Sequence, residues 1–367
     1  MKNVSATLAW ALAFALTARP MWAATLTANP APRGIPECGS MYAPPFAGSG
    51  PAVQPRTCPA PSPRAYKPKF QTIGHEILTE ESLACFVPDS AFELLDSLIE
   101  KGRDKYTLLP TGSGSWEASA TPFFETMGQV LLEAGFQLYI PTETLGDALT
   151  NRPLQAGGQH IADCDTGSLL YMSMAEVLGL PVSMVEIKLR SGSGHSYLRW
   201  STSAGQSMDW DTNGRSQCTT PPGQPAWQGR TMSRTEVLGY TRGLRGLLQQ
   251  KKGRNQEAAA DYRAAAKMYP QSPWAPNNLA WLLATRAEFD RPAEASEAVD
   301  NALRAVSIER DANNLDTLAC AHARKGDFTS AAAVARDVVA LAPGNEAFKQ
   351  RLKKFEASPP TNCVGQD

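Results

Sequence analysis

Asp163-Cys164-Asp165-Thr166-Gly167-Ser168 leads into Leu169, Leu170, Met174, Val177 and Leu178, and the run closes at Gly179 and Pro181. The apolar residues recur at helical spacing and the glycine and proline are stop signals, so the stretch predicts a helix opening at Cys164. A cysteine placed there meets the positive end of the helix dipole, which favours a thiolate over a thiol. Asp163 and Asp165 oppose this unless they cap the helix or point away.

Downstream, residues 182–187 are β-rich, and His195-Ser196-Tyr197-Leu198-Arg199-Trp200 and residues 206–212 alternate at period two. Leu198, Trp200, Met208 and Trp210 then share the core face, with His195, Tyr197, Arg199, Asp209 and Asp211 on the other. A hairpin closed around residues 202–204 sets Trp200 opposite Gln206, Tyr197 opposite Asp209 and His195 opposite Asp211; a slip of two residues substitutes Asp209. Cys164, His195 and Asp211 form a coherent set for acyl transfer: a nucleophile, a base and a carboxylate that fixes the base's tautomer. Taken singly, Cys164 also fits a structural thiol or half of a disulfide, and His195 a strand histidine bonded to backbone. Gln159, Tyr197 and Arg199 are the candidate substrate-binding residues, with Gln159 an amide donor to an oxyanion beside the Cys164 N–H.

The remaining histidines carry less. His75 and His160 lack comparable partners in the pattern, and His322 falls inside a helical repeat. No His-x-x-x-His or Cys-x-x-Cys pattern occurs, so neither a metal site nor a cofactor is expected.

Lys2, the apolar run 6–18 and the small residues Ala23 and Ala24 read as a signal peptide over residues 1–24, implying a periplasmic or secreted protein. No later apolar run is long enough for a membrane helix, so no stable span is expected after signal cleavage. Residues 25–69 form a Pro/Gly-rich linker of low order. The chain's 35 basic and 36 acidic residues nearly balance, which argues against nucleic acid as a partner. Seven cysteines in an exported chain fit three bridges and one free thiol, or fewer bridges and several buried thiols. Cys38 and Cys58 are the easiest pair to imagine, and Cys320 reads as a small core residue.

From residue 70 the pattern becomes that of a packed core. Asp89 can cap a helix whose one face carries Phe92, Leu95, Leu98 and Ile99, and a second helix carries Phe123, Phe124, Met127, Val130 and Leu131 and ends at Gly135. From about Thr241 the composition turns alanine-rich and repeats. Ala258, Tyr262, Ala265 and Pro270 are echoed by Ala298, Ala302 and Ala305, and again by Ala331, Ala335, Val338 and Pro343, with an insertion at residues 287–292. Small residues at these positions suit stacked helix pairs of the tetratricopeptide kind; a plain helical bundle is the alternative.

The blocks around Cys164, His195–Trp200 and Met208–Thr212 resemble the three motif blocks of the bacterial transglutaminase-like superfamily. With Leu178-Gly179-Leu180-Pro181-Val182 between them, they are most similar to its SirB1-like branch, in which such a domain precedes tetratricopeptide repeats. The resemblance covers about residues 70–357. It implies an α+β, papain-like transglutaminase core over residues 70–232 and an all-α repeat domain over 239–357, followed by a tail of 358–367. It also implies Cys164 as nucleophile, His195 as base and Asp211 as orienting acid. Members of this branch do not always retain the triad. The loop of residues 190–194 is longer than the family pattern, and no tryptophan lies near Cys164. Two functions follow as expectations: an exported cysteine acyl-transfer enzyme, a hydrolase or transamidase whose repeats recruit a protein or peptide; or a catalytically silent periplasmic scaffold.

Overall fold

The computed structural model describes residues 35–39, 65–84, 87–109, 115–138, 144–150, 160–189 and 193–365. The expected signal peptide, most of the linker, Cys58, Gln159 and most of the loop before His195 lie outside them. The described part is a mixed α and β fold with a helical C-terminal region, and Pro36–Asp367 forms one compact unit.

Helices α1 (Ile73–Ser82), α2 (Asp89–Thr107) and α3 (Glu117–Glu133) precede a short parallel pair, β1 (Phe136–Leu138) with β2 (His160–Ala162), separated by α4 (Leu145–Leu149). Helix α5 (Cys164–Leu178) then leads into an antiparallel sheet in the order β3 (Val182–Lys188), β4 (Gly194–Ser201), β5 (Ser207–Asp211), β6 (Ser216–Cys218). The expected faces appear: Leu198, Trp200, Met208 and Trp210 enter the main core with Leu169, Leu170, Phe123 and Phe124. Phe124 stacks on Trp210 with ring centroids 5.1 Å apart. Buried aromatic and aliphatic side chains each contribute roughly 1.5–3 kcal/mol on leaving water, so this layer fixes which face of the sheet meets α5.

The register differs from the expectation by two residues. Trp200 pairs with Met208, Arg199 with Asp209 and Leu198 with Trp210. The cause is the turn: Gly205, at φ 81°, takes the left-handed position of a three-residue loop, and Thr202 N–H donates to Gln206 O at 2.9 Å. A two-residue slip preserves the faces, so Asp211 stays on the side of His195 but diagonally from it.

Asp89 does not cap α2. The N-cap is Pro88, and the Asp89 carboxylate accepts from Ala65 N and Tyr66 N, tying the end of the Pro/Gly-rich segment to the core. Asp96 extends this tie, accepting from Tyr66 Oη at 2.6 Å and Lys69 N at 2.8 Å.

The helical region comprises α6 (Arg234–Lys251), α7 (Asn255–Met268), α8 (Trp274–Thr285), α9 (Pro292–Ile308), α10 (Ala312–Arg324), α11 (Phe328–Leu341) and α12 (Glu346–Glu356). The repeated small residues sit on α7, α9 and α11 and are buried: Ala258, Ala298, Ala302, Ala305, Ala331 and Ala335. Helix α6 opens with a Ser233/Glu236 capping box and presents Gly239, Gly243 and Gly246 on one face. A Cβ at Gly239 would lie 2.8 Å from Met268 Cβ, and one at Gly246 2.8 Å from Tyr262 Cε1; Gly243 faces Trp274 as closely. Those glycines let α6 lie against α7 and the start of α8. On its other side α6 meets the first core, with Arg245 bonded to Glu80 and Asp261 at once.

The disulfides differ from the reading of the sequence. Cys38 is joined to Cys218, not Cys58, and Cys320, although fully buried, is joined to Cys363 in the tail. Both pairs close loops too long for any local sequence signal, 180 and 43 residues. No helix among the described residues is long and apolar enough to cross a membrane.

Candidate active site

Asp163 caps α5: its Oδ1 accepts from Thr166 N at 3.0 Å, while Thr166 Oγ1 accepts from Asp163 N at 3.0 Å. This capping box sets Cys164 as the first helical residue. One turn on, Gly167 lets α5 approach Thr212; a Cβ there would stand 3.4 Å from Thr212 Oγ1. The helix start is thereby set beside the end of β5, where Asp211 lies.

His195 and Asp211 form a buried pair, with His195 Nε2 3.1 Å from Asp211 Oδ2. Three backbone amides hold the carboxylate: Gly39 N donates to Oδ2 at 2.7 Å, and Asn213 N and Gly214 N to Oδ1 at 3.0 and 3.2 Å. Burial alone would raise this carboxyl, but the bonds from His195, Gly39 and Gly214 outweigh it and keep the group below the usual carboxylate range. An Nε2–H donated to Asp211 leaves Nδ1 as the basic ring nitrogen.

Cys164 is a half-buried residue whose thiol lies outside any disulfide. Its Sγ donates to Asp165 Oδ1 at 3.6 Å. Burial, and then the charges of Asp165 and Asp163, push this thiol well above its ordinary range, while the N–H and hydroxyl of Ser196 act in the opposite sense. The expected lowering by the helix N-terminus is therefore reversed. Asp165 is itself enclosed. Its Oδ1 accepts from Ser196 Oγ and its Oδ2 from Tyr240 Oη of α6 at 2.7 Å. Burial first, and Asp163 second, push its carboxyl up to about 6, while Ser196, Tyr240 and the nearby His195 draw it down. Thiol and imidazole thus share Asp165 as a neighbour. Behind it lies Glu186, paired across the sheet with Ser196 and pushed up to about 8 by burial and by the charge of Asp165.

The other candidates fall elsewhere. Tyr197 is fully buried, with its hydroxyl against Thr220 Oγ1 at 2.5 Å. Arg199 is a fork on Asp209, with bonds of 2.6 and 2.7 Å, and also reaches Gly229 O and Thr220. Both side chains are taken up inside the fold. Gln159 lies outside the described residues.

His75, read as lacking a partner, has one. Nε2 is 3.1 Å from Asp96 Oδ1 and Nδ1 is 2.8 Å from Thr72 Oγ1. With both nitrogens so engaged, this second buried histidine–aspartate pair offers no base. His160 stacks on Phe136, and His322 lies 3.5 Å from Asp327. Among the described residues, no cluster of three or more His, Cys, Asp or Glu side chains could hold a metal ion.

Ser196, Tyr240 and Gly39 border the candidate site and were passed over in the sequence reading, whereas Asp165, read there as a charge opposing the thiolate, acts in that sense. Ser196 carried a direct signal: alternation along β4 puts it on the face of Leu198 and Trp200, which meets α5. A scan against protein-family models matches no family, and a search among curated proteins matches no relative.

Proposed function

We propose that the chain is an exported, transglutaminase-like cysteine acyl-transfer enzyme, with a papain-like core and tetratricopeptide repeats that recruit a protein or peptide. The observation that carries this reading is the buried His195–Asp211 pair, its carboxylate fixed by three backbone amides, together with a helix-start thiol outside any disulfide that shares Asp165 as a neighbour with the imidazole. In the proposed reaction His195 Nδ1 takes the thiol proton as Sγ attacks the acyl carbon. The N–H of Cys164 receives the developing oxyanion, and the protonated imidazole returns the proton to the departing amine. Water or a second amine then resolves the thioester. The raised Cys164 group stays a thiol at rest, so proton transfer accompanies attack.

The same raised thiol favours a second reading, a silent scaffold in which Cys164 is a hydrogen-bond donor to Asp165. Intact mass after exposure to a p-nitrophenyl ester separates the two. The enzyme reading expects an acyl adduct on Cys164 of the wild type, formed about 100-fold or more slowly in His195→Ala. Absence of the adduct, or equal rates in both proteins, leaves the scaffold.

A further inference from the structure

We propose that Gly39, carried on the Cys38–Cys218 disulfide, is a positioning residue of the His195–Asp211 pair, so that the pair is assembled only when that disulfide is closed. The proposal deepens the acyl-transfer reading and rests on it for its functional meaning. Gly39 belongs to the Pro/Gly-rich segment, far in sequence from the site, yet its N–H donates at 2.7 Å to Asp211 Oδ2, the oxygen that also meets His195 Nε2. One carboxylate oxygen therefore has two fixed donors, and the direction it presents to the imidazole is set partly by Gly39.

The approach is close enough to exclude any larger residue. Gly39 has φ +78°, and a Cβ would lie 2.6 Å from Leu189 Cδ2 and 3.0 Å from His195 Cδ2. Its backbone thus lies along the imidazole edge, and Tyr197, Val185, Ile187 and the two cysteines form a small apolar cluster around it. Among the described residues this short strand is tied to the end of β6, where Thr219 Oγ1 donates to Pro36 O at 3.3 Å. Cys38 N donates to Thr219 O and Thr219 N to Pro36 O, both at 2.8 Å, and the disulfide anchors the same residue to the end of β6. Each such hydrogen bond has a net worth of only about 1 kcal/mol, little against the cost of ordering an extended segment. The covalent link adds a constraint that does not depend on those bonds.

Closing the link removes two protons and two electrons from the Cys38 and Cys218 thiols. A dithiol–disulfide exchange partner in its disulfide form accepts them and becomes a dithiol. In a reducing compartment the reverse exchange frees Gly39, removes one donor from Asp211 and uncovers the imidazole.

The test is the tautomer of His195 in full-length, ¹⁵N-histidine-labelled protein, read by long-range ¹H–¹⁵N correlation and assigned with His195→Gln. The oxidised wild type is expected to hold neutral His195 as the single Nε2–H form. Cys38→Ser/Cys218→Ser, and Gly39→Ala with its disulfide intact, are expected to show a mixture of tautomers. Cys320→Ser/Cys363→Ser is expected to match the wild type. A single Nε2–H form in both strap variants overturns the proposal, as does an equal mixture when the other disulfide is removed. If neither strap variant folds, the oxidised wild type decides, because a mixed or Nδ1–H form there also overturns it. The readout needs no turnover: if Cys164 never acylates, the acyl-transfer reading fails while the tautomers still judge the strap.

Discussion

Asp165→Asn should make Cys164 a faster nucleophile. The substitution is nearly isosteric, and the amide oxygen can still accept from Ser196 or from the thiol, so what is lost is one negative charge 3.6 Å from Sγ. At that distance the charge opposes the thiolate by about 1 kcal/mol if screened as in water and by about 4–5 kcal/mol at an effective dielectric of about 20. Its removal raises the thiol ionisation constant between about tenfold and about a thousandfold. A more acidic thiolate is also less nucleophilic, with a Brønsted coefficient of about 0.4–0.5, so the net gain in rate is roughly 3- to 40-fold. The assay is exchange with a chromogenic aromatic disulfide, with the signal of Cys164→Ser subtracted. The acceleration should be full near pH 8 and shrink towards unity well below pH 6, because the Asp165 carboxyl, pushed up to about 6, is then neutral in the wild type as well. A folded variant that reacts no faster than wild type near pH 8, or one whose advantage does not change with pH, would refute the electrostatic account of the raised thiol.

Glu186→Gln should stabilise the protein at about pH 8 and change little at about pH 4. The carboxyl is raised to about 8 in the fold, so stability is full below the unfolded pKa of about 4.3 and falls as pH rises towards 8. We expect a gain on the order of 1–3 kcal/mol in urea unfolding, and an unchanged pH slope would count against the burial argument. Removing the Cys320–Cys363 bridge frees a loop of 43 residues and should cost up to about 4 kcal/mol, read as a lower denaturation midpoint without loss of the His195 tautomer. Gly243→Ala drives a methyl into the Trp274 ring at the junction of α6 with the repeats, and should destabilise by roughly 1–3 kcal/mol by thermal unfolding.

What was legible came from periodicity. Leu198, Trp200, Met208 and Trp210 declare the core face of β4 and β5 by alternation alone, and Ala258 to Val338 declare the buried faces of α7, α9 and α11. Register was not legible from alternation, since period two is blind to a slip of two. It depended on Gly205 taking a left-handed position inside the loop, which moves the three-residue loop from residues 202–204 to 203–205. Asp211 survived the error because the diagonal neighbour on the same face remains within reach of a histidine. Gly39 and the two disulfides were illegible for another reason: their partners are set by the closed fold, and nothing local marks a residue whose contact lies 172 positions away. Helix α6 could have been found earlier, from Ser233 and Glu236 at capping-box spacing and from glycines at 239, 243 and 246 along one face. With α6 in hand, Tyr240 would have entered the reading as the first residue after Gly239.

Two aspartates flank Cys164, and their different fates decide its character. Asp163 spends its charge on the amide of Thr166, where a carboxylate at a helix N-terminus is favoured by about 0.3–1 kcal/mol. Asp165, inside the first turn, has no such outlet. Its oxygens are held by Ser196 and Tyr240 and face the sulfur. The helix dipole that would favour a thiolate acts with a strength of at most about 2 kcal/mol, whereas an ionised carboxylate at 3.6 Å opposes it with about 1 to 5 kcal/mol, and burial adds to the opposition. The dipole loses, which is why a cysteine at a helix start is here a thiol at rest. On the acyl-transfer reading, attack then needs a base that takes the proton in the same step. Asp165, already hydrogen-bonded to the thiol, is a poor acceptor of its proton, because a carboxyl at about 6 is far more acidic than the raised thiol. His195 has a carboxylate partner held by three amides to stabilise the imidazolium, so the burden of catalysis shifts from the helix dipole to the pair that Gly39 helps to fix.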